Sequence, residues 1–113
     1  MIKISIQRSQ NHVIAFSSKG HAEYSEGDDI VCAAVSTLVI NTANAIEQLT
    51  DTDFSSTMDN NEIKYIFHSN PDEKSKLLMD ALVLGLKEIQ KEYGKKYLNL
   101  VIYTLLGRCF HGS

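Results

Sequence analysis

Residues 28–49 read DDIVCAAVSTLVINTANAIEQL, and the fold turns on how this stretch is taken. Apolar residues stand at Ile30, Val31, Ala34, Val35, Leu38, Val39, Ala43, Ile46 and Leu49, at the three- and four-residue spacing of an α-helix. The stripe is too wide for a helix with one side in water, so it predicts a central helix packed on more than one side. Asp28 and Asp29 are both good caps, because a short carboxylate accepts from the unpaired N–H groups of a first turn. The spacing therefore predicts a helix over residues 30–49.

Strands are predicted on both sides of it. Ile2, Ile4 and Ile6 alternate with Lys3, Ser5 and Gln7, and a second strand over residues 12–18 carries Val13, Ile14 and Phe16. Such alternation marks a half-buried strand, and Ser9-Gln10-Asn11 reads as the turn of a hairpin. Residues 54–58 and 63–68 form another pair around Asp59-Asn60-Asn61, a turn by composition. Asn70-Pro71-Asp72-Glu73 opens a second helix with proline in its first turn, where no N–H is needed. Leu78, Leu82, Leu86, Ile89 and Tyr93 mark its apolar face, and Gly94 suits its end. Residues 97–103 make a last strand. The order ββαββαβ predicts a single α+β domain over residues 1–104, a mixed or antiparallel sheet packed with two helices. Residues 105–113, with Cys109 and His111, fit no element and read as an appended tail.

Composition narrows the function. The 113 residues are 43% hydrophobic, enough for one domain with its own core. The formal net charge is −3 and the lysines are scattered apart from Lys95-Lys96. Nothing resembles the basic stripe that phosphate contacts demand, so direct nucleic-acid binding is not expected. The two cysteines, Cys32 and Cys109, form no disulfide framework, which suits a reducing compartment. The N-terminus lacks a signal peptide's apolar region, and no stretch is read as reaching the roughly 20 apolar residues of a membrane span. A soluble, cytoplasmic protein is expected.

One constellation carries chemistry. Cys32, three residues beyond Asp29, falls in the first turn of the predicted helix. Free N–H groups and the positive end of the helix dipole favour a thiolate there, while the neighbouring carboxylates oppose it. His21 stands between Gly20 and Ala22, at the end of a predicted strand and one loop away from that helix. An imidazole beside the thiol can hold a thiolate–imidazolium pair and then protonate a leaving amine. Asp28 or Asp29 caps the helix, and if Asp28 does, Asp29 is free to orient His21 or to bind substrate backbone. Ser36 lies one turn after Cys32 on the same face, able to bond near the site or back to the Cys32 carbonyl. Gly20 and Gly27 bound a polar loop and are expected to hinge it over substrate. His21, Glu23, Glu26, Asp28, Asp29 and Cys32 crowd together without zinc or calcium spacing, so neither a metal nor another cofactor is expected. His12, His68 and His111 read as solvated histidines.

Gly20-His21-Ala22, then Gly27, then Asp29-Ile30-Val31-Cys32-Ala33-Ala34-Val35-Ser36 resembles the signature of the ribosomal-processing cysteine protease family, often called Prp. The likeness runs from Met1 to about Leu100 and includes Asn44-Ala45-Ile46. It implies a catalytic dyad of Cys32 as nucleophile and His21 as general base and proton donor, with Asp29 and Ser36 supporting. It also implies a small α+β homodimer that removes the N-terminal extension of large-subunit ribosomal protein twenty-seven after a pair of aromatic residues. Two rivals compete with the protease. One is a non-catalytic assembly factor that binds a ribosomal protein and uses Cys32 structurally; the other is a thiol hydrolase or transferase acting on a small molecule in a closed pocket.

Overall fold

Alternating isoleucines build the first strand and turning asparagines a later hairpin, and two helices pack on one face of the sheet that these strands join. The structure, a computed structural model, describes residues 1–9, 12–20 and 26–105, with the backbone alone for 26–29 and 105. The elements are β1 (Ile2–Ser9), β2 (His12–Lys19), α1 (Glu26–Leu49), β3 (Phe54–Asp59), β4 (Glu62–Phe67), α2 (Glu73–Tyr93) and β5 (Leu98–Leu105). The expected order ββαββαβ is the observed one.

The five strands lie in the order β3-β4-β2-β1-β5. Neighbours are antiparallel except β1 and β5, which run parallel. The sheet is therefore mixed. Ile2, Ile4, Ile6, Val13, Phe16, Tyr65 and Leu98 are buried on one face, while Lys3, Gln7 and Lys64 are exposed on the other. Both helices cover the apolar face, with Val31, Val35, Val39, Ala43 and Ile46 of α1 and Met79, Leu82, Val83 and Leu86 of α2 in one common core. Asn60 and Asn61 both have positive φ, 52° and 63°. That is the backbone of a two-residue hairpin turn whose twist matches its strands, and asparagine tolerates it.

Helix α1 starts at Glu26, not at residue 30, so Asp28 and Asp29 are helical residues and neither is the cap. Gly27 costs such a turn only about 1 kcal/mol, and the acidic residues Glu26, Asp28 and Asp29 suit the positive end of the helix dipole. The extra turn is consistent with both effects. Helix α2 starts later than expected. Asp72 is its N-cap, accepting from the Ser75 N–H at 2.8 Å, which leaves Pro71 buried just ahead of the helix. Tyr93, expected on the buried face of α2, is 39% exposed, and Met79 and Val83 take the core positions the spacing missed. Strand β5 runs to Leu105 because it stays in register with β1 as far as Ser9, so the tail begins after it. Ile30–Leu49 is long and apolar enough to cross a membrane, which corrects the expectation that no stretch is; here it is the core helix of the domain.

Candidate active site

Four strand ends and one helix meet at the same end of the sheet. β1 begins there at Ile2, β2 ends there with Ser18 just before Lys19 and Gly20 just after it, and the β3–β4 hairpin brings Met58, Asn61 and Ile63. The pairing makes this a continuous row: Met58 opposite Ile63, Ile63 opposite Ser18, Ser18 opposite Ile4. Above it lie the early turns of α1. Between helix and row is a cleft of about 160 Å³ lined by Ile2, Ser18, Gly20, Cys32, Val35, Ser36, Ile40, Met58, Asn61 and Ile63.

Cys32 is half-buried and is the free cysteine among the described residues. It is the seventh residue of α1, not a first-turn residue as expected. Its own N–H is therefore within reach of the Asp28 carbonyl in the ordinary helical ladder, and the dipole effect fades beyond the first turn. What Cys32 has instead is a place in the cleft wall, packed against the core. Ser36 shares that wall, as one-turn spacing requires.

Gly20 is held between Asn61 and the Met1–Ile2 backbone. Its N–H donates to the Asn61 carbonyl at 3.1 Å. Its φ is +136°, and a Cβ on it would stand 2.6 Å from the Met1 carbonyl oxygen. A side chain there would be strained and would force the Met1 backbone to shift. The loop that starts at this glycine thus departs from a fixed point in the cleft wall. His21 itself lies outside the described residues, as do residues 22–25 and the side chain of Asp29. Gly27, expected as the second hinge, sits in the first turn of α1, which leaves residues 21–25 between Gly20 and the helix.

Two described histidines stand away from the cleft. His12 begins β2 at the opposite end from Ser18, and His68 follows β4, its Nε2 2.9 Å from the Ser55 hydroxyl. Among the described residues no group of three or more His, Cys, Asp or Glu side chains is placed to hold a metal ion. Ile2, Ser18, Ile40, Met58, Asn61 and Ile63 were not singled out from sequence. Ile40 follows Cys32 by two turns of α1, but the others come together only through the register of β1, β2, β3 and β4.

A thiol set into the wall of a largely apolar cleft, at the end of a sheet covered by two helices, is an arrangement that a cysteine hydrolase can use. Over residues 1–98 the chain matches the family described as cysteine protease Prp, and it belongs to that family. It is 30% identical over 103 residues to the ribosomal processing cysteine protease Prp of Bacillus subtilis (strain 168), covering 82% of this chain and 90% of that protein. The crystal structure of SMU.848 from Streptococcus mutans is similar at a TM-score of 0.83 and 33% identity, over 93% of this chain and 96% of that one. An essential ribosomal processing protease Prp from S. aureus, solved in complex with a covalently linked product peptide, is similar at 0.81 and 25% identity, over 90% and 99%. The protein is a cysteine protease, a hydrolase.

Proposed function

We propose that this protease removes the N-terminal extension of large-subunit ribosomal protein twenty-seven, cutting after an aromatic pair, with Cys32 as nucleophile and His21 as its base. The observation that carries the reading is the shared wall: Cys32 and Gly20 line one cleft, and His21 is the residue bonded to Gly20. That adjacency in the chain is what supports His21 as the base. The covalently linked product peptide of the S. aureus relative supports attack by a protein nucleophile on peptide.

In this reading His21 takes the thiol proton and the Cys32 thiolate attacks the scissile carbonyl carbon. The C–N bond then breaks as the imidazolium returns its proton to the leaving amine. Water, deprotonated by His21, cleaves the thioester and releases the carboxylate product and the free thiol. Asp29 orients His21 or receives substrate backbone, and Ser36 steadies the thiol from the next turn of α1. Because Cys32 lies beyond the first turn, its activation falls to His21 and not to the helix start.

The protease acts in this reading as a homodimer in the cytoplasm, where ribosomal proteins are assembled, without direct nucleic-acid contact. Leu77 and Leu84 of α2 are 70% and 64% exposed with exposed Ala81 between them, an apolar stripe suited to a second copy. Light scattering of the wild type and of Leu84→Lys tests this: the wild type should have twice the variant's mass.

The function is tested by mixing the purified protein with the extended ribosomal precursor and reading the products by mass spectrometry. A single cut after the aromatic pair is expected, absent with Cys32→Ala and with His21→Ala. An uncut precursor, together with a Cys32 that resists alkylation in the folded protein, would instead leave a binding role as the better account.

A further inference from the structure

The face of the sheet that the helices leave open carries an unbalanced pair of charges. Alternation buries Ile2, Ile4 and Ser18 on the helix side, so Lys3 and Lys19 stand on the open side, both exposed. The register sets them directly opposite each other across β1 and β2. Like charges in that position repel and cost the sheet stability. A carboxylate is close at hand, because the same row continues from Lys19 to Glu62 and then to Asp59. Glu62 is nevertheless engaged elsewhere: its Oε2 accepts from the Ser17 hydroxyl at 2.7 Å, and its Oε1 lies 4.0 Å from the Lys64 Nζ. Among the described residues neither Lys3 nor Lys19 has an ion-pair partner.

Both lysines border an open recess of about 410 Å³, lined by Met1, Lys3, Lys19, Gly20, Asn60 and Asn61. No carboxylate lines it, and its asparagines carry amide donors. The adjoining recess, of about 480 Å³, is balanced, with Lys19 and Lys64 set beside Asp59 and Glu62. In a chain of net charge −3 the first recess is therefore a local concentration of positive charge and donors. Along its row the charge stops at Asn99 on one side and reverses at Glu62 on the other. One compact anion suits such a place better than a long phosphate chain, which needs a basic track. Gly20 and Asn61 also line the thiol cleft, so the recess and the cleft back onto each other at one strand end.

We propose that this recess binds a small phosphate dianion, free or esterified to a small molecule, between the Lys3 and Lys19 ammonium groups, with Asn60 and Asn61 as further donors. Lysine serves phosphate as a point charge, and two of them match a dianion. The bound anion would also remove the repulsion that the register imposes on the free protein.

The test is calorimetric titration of inorganic phosphate and of phenyl phosphate, at fixed ionic strength, into wild type, Lys3→Gln, Lys19→Gln and Lys64→Gln. Saturable binding at one site is expected with wild type. Either Lys3→Gln or Lys19→Gln should weaken it about tenfold, the loss of one charged hydrogen bond. Lys64→Gln, in the balanced recess, should bind as wild type does. Tighter binding of the ester would assign the site to a phosphorylated small molecule, and tighter binding of inorganic phosphate to the free ion. Without anion, Lys3→Gln and Lys19→Gln should each melt about 1–8 °C above wild type, because a repulsion has gone. No saturable binding, equal binding by all four proteins, or a loss confined to Lys64→Gln overturns the proposal. So does a lower melting temperature in both Lys3→Gln and Lys19→Gln, which would mean that their charges are already balanced. A short single-stranded RNA that displaces phosphate and binds more tightly through the same lysines would overturn it in favour of a nucleic-acid contact.

Discussion

Replacing Gly20 by alanine should separate two costs that usually arrive together, because Gly94 provides the control. Both glycines have positive φ, 136° for Gly20 and 105° for Gly94. Each alanine therefore incurs a backbone penalty of about 1–3 kcal/mol, partly offset by about 0.4–1 kcal/mol from a stiffer unfolded chain. Those contributions should be similar at the two sites. The surroundings differ: a Cβ at Gly94 meets nothing within 4 Å, whereas one at Gly20 stands 2.6 Å from the Met1 carbonyl and 3.0 Å from the Ile2 Cα. Nor can that backbone simply retreat, since Ile2 donates to the Tyr97 carbonyl at 2.9 Å and opens the β1–β5 ladder. Relieving such an overlap costs about 1–3 kcal/mol. Gly20→Ala should thus be less stable than Gly94→Ala by that amount, or roughly 4–15 °C in melting temperature for a domain this small. Calorimetry on the two variants reads the difference directly. Equal melting temperatures, or a lower one for Gly94→Ala, would refute the claim that Gly20 is held by crowding as well as by its φ. Cleavage by Gly20→Ala should fall further than its stability explains, because His21 departs from this point.

Three other substitutions probe the frame around the site. Tyr65→Phe removes a buried hydroxyl that donates to the Val39 carbonyl of α1; burial raises the phenol pKa, so the hydroxyl stays protonated. Urea unfolding should show a loss of about 0.5–1.5 kcal/mol, and no loss would mean the helix alone satisfies that carbonyl. Asp72→Ala should lower the melting temperature at neutral pH, since the carboxylate caps α2. The Ser75 N–H holds the Asp72 carboxyl below its ordinary pKa, so its contribution is present above the ordinary carboxylate range and lost as pH falls through the depressed value. The melting gap between wild type and variant should therefore close in acid; a gap constant with pH would exclude a role for the charge. In Gly85→Ala the new Cβ meets the end of the Leu38 side chain at 3.0 Å, a group that can shift. The helix gain of about 1 kcal/mol should leave the variant near wild-type stability, and a melting point more than about 8 °C lower would show that Leu38 cannot move.

Much of this architecture was legible because its signals are local. Alternation in Ile2, Ile4 and Ile6 and the asparagine turn are short-range patterns, and the observed elements follow them. The start of α1 was misread for an equally local reason. Asp28 and Asp29 resemble caps, but carboxylates also suit the interior of a first turn, and spacing cannot separate those roles. Pro71 posed the same ambiguity two residues ahead of α2. There the deciding contacts are distant ones: Asp72 N–H to the Thr52 hydroxyl at 3.1 Å, and the buried Ser75 hydroxyl to Thr52 and Thr50 at 2.7 and 3.0 Å. These tie the start of α2 to the segment that follows α1.

The site divides along the same line. Cys32 and Ser36 sit one turn apart, so their shared wall was readable from spacing alone. The opposite wall comes from β1, β2, β3 and β4, and its members lie up to 61 positions apart in the chain, from Ile2 to Ile63. The earlier start of α1, which makes Cys32 its seventh residue, also changes the chemistry. A first-turn thiol could draw on free amides, but a thiol two turns in must be activated from outside its helix. In the proposed reading that partner comes from the residue after Gly20, and the Asn61 carbonyl and Met1 backbone fix where it begins. The β3–β4 hairpin therefore serves the site twice, through Met58 and Ile63 as cleft wall and through Asn61 as the anchor of Gly20.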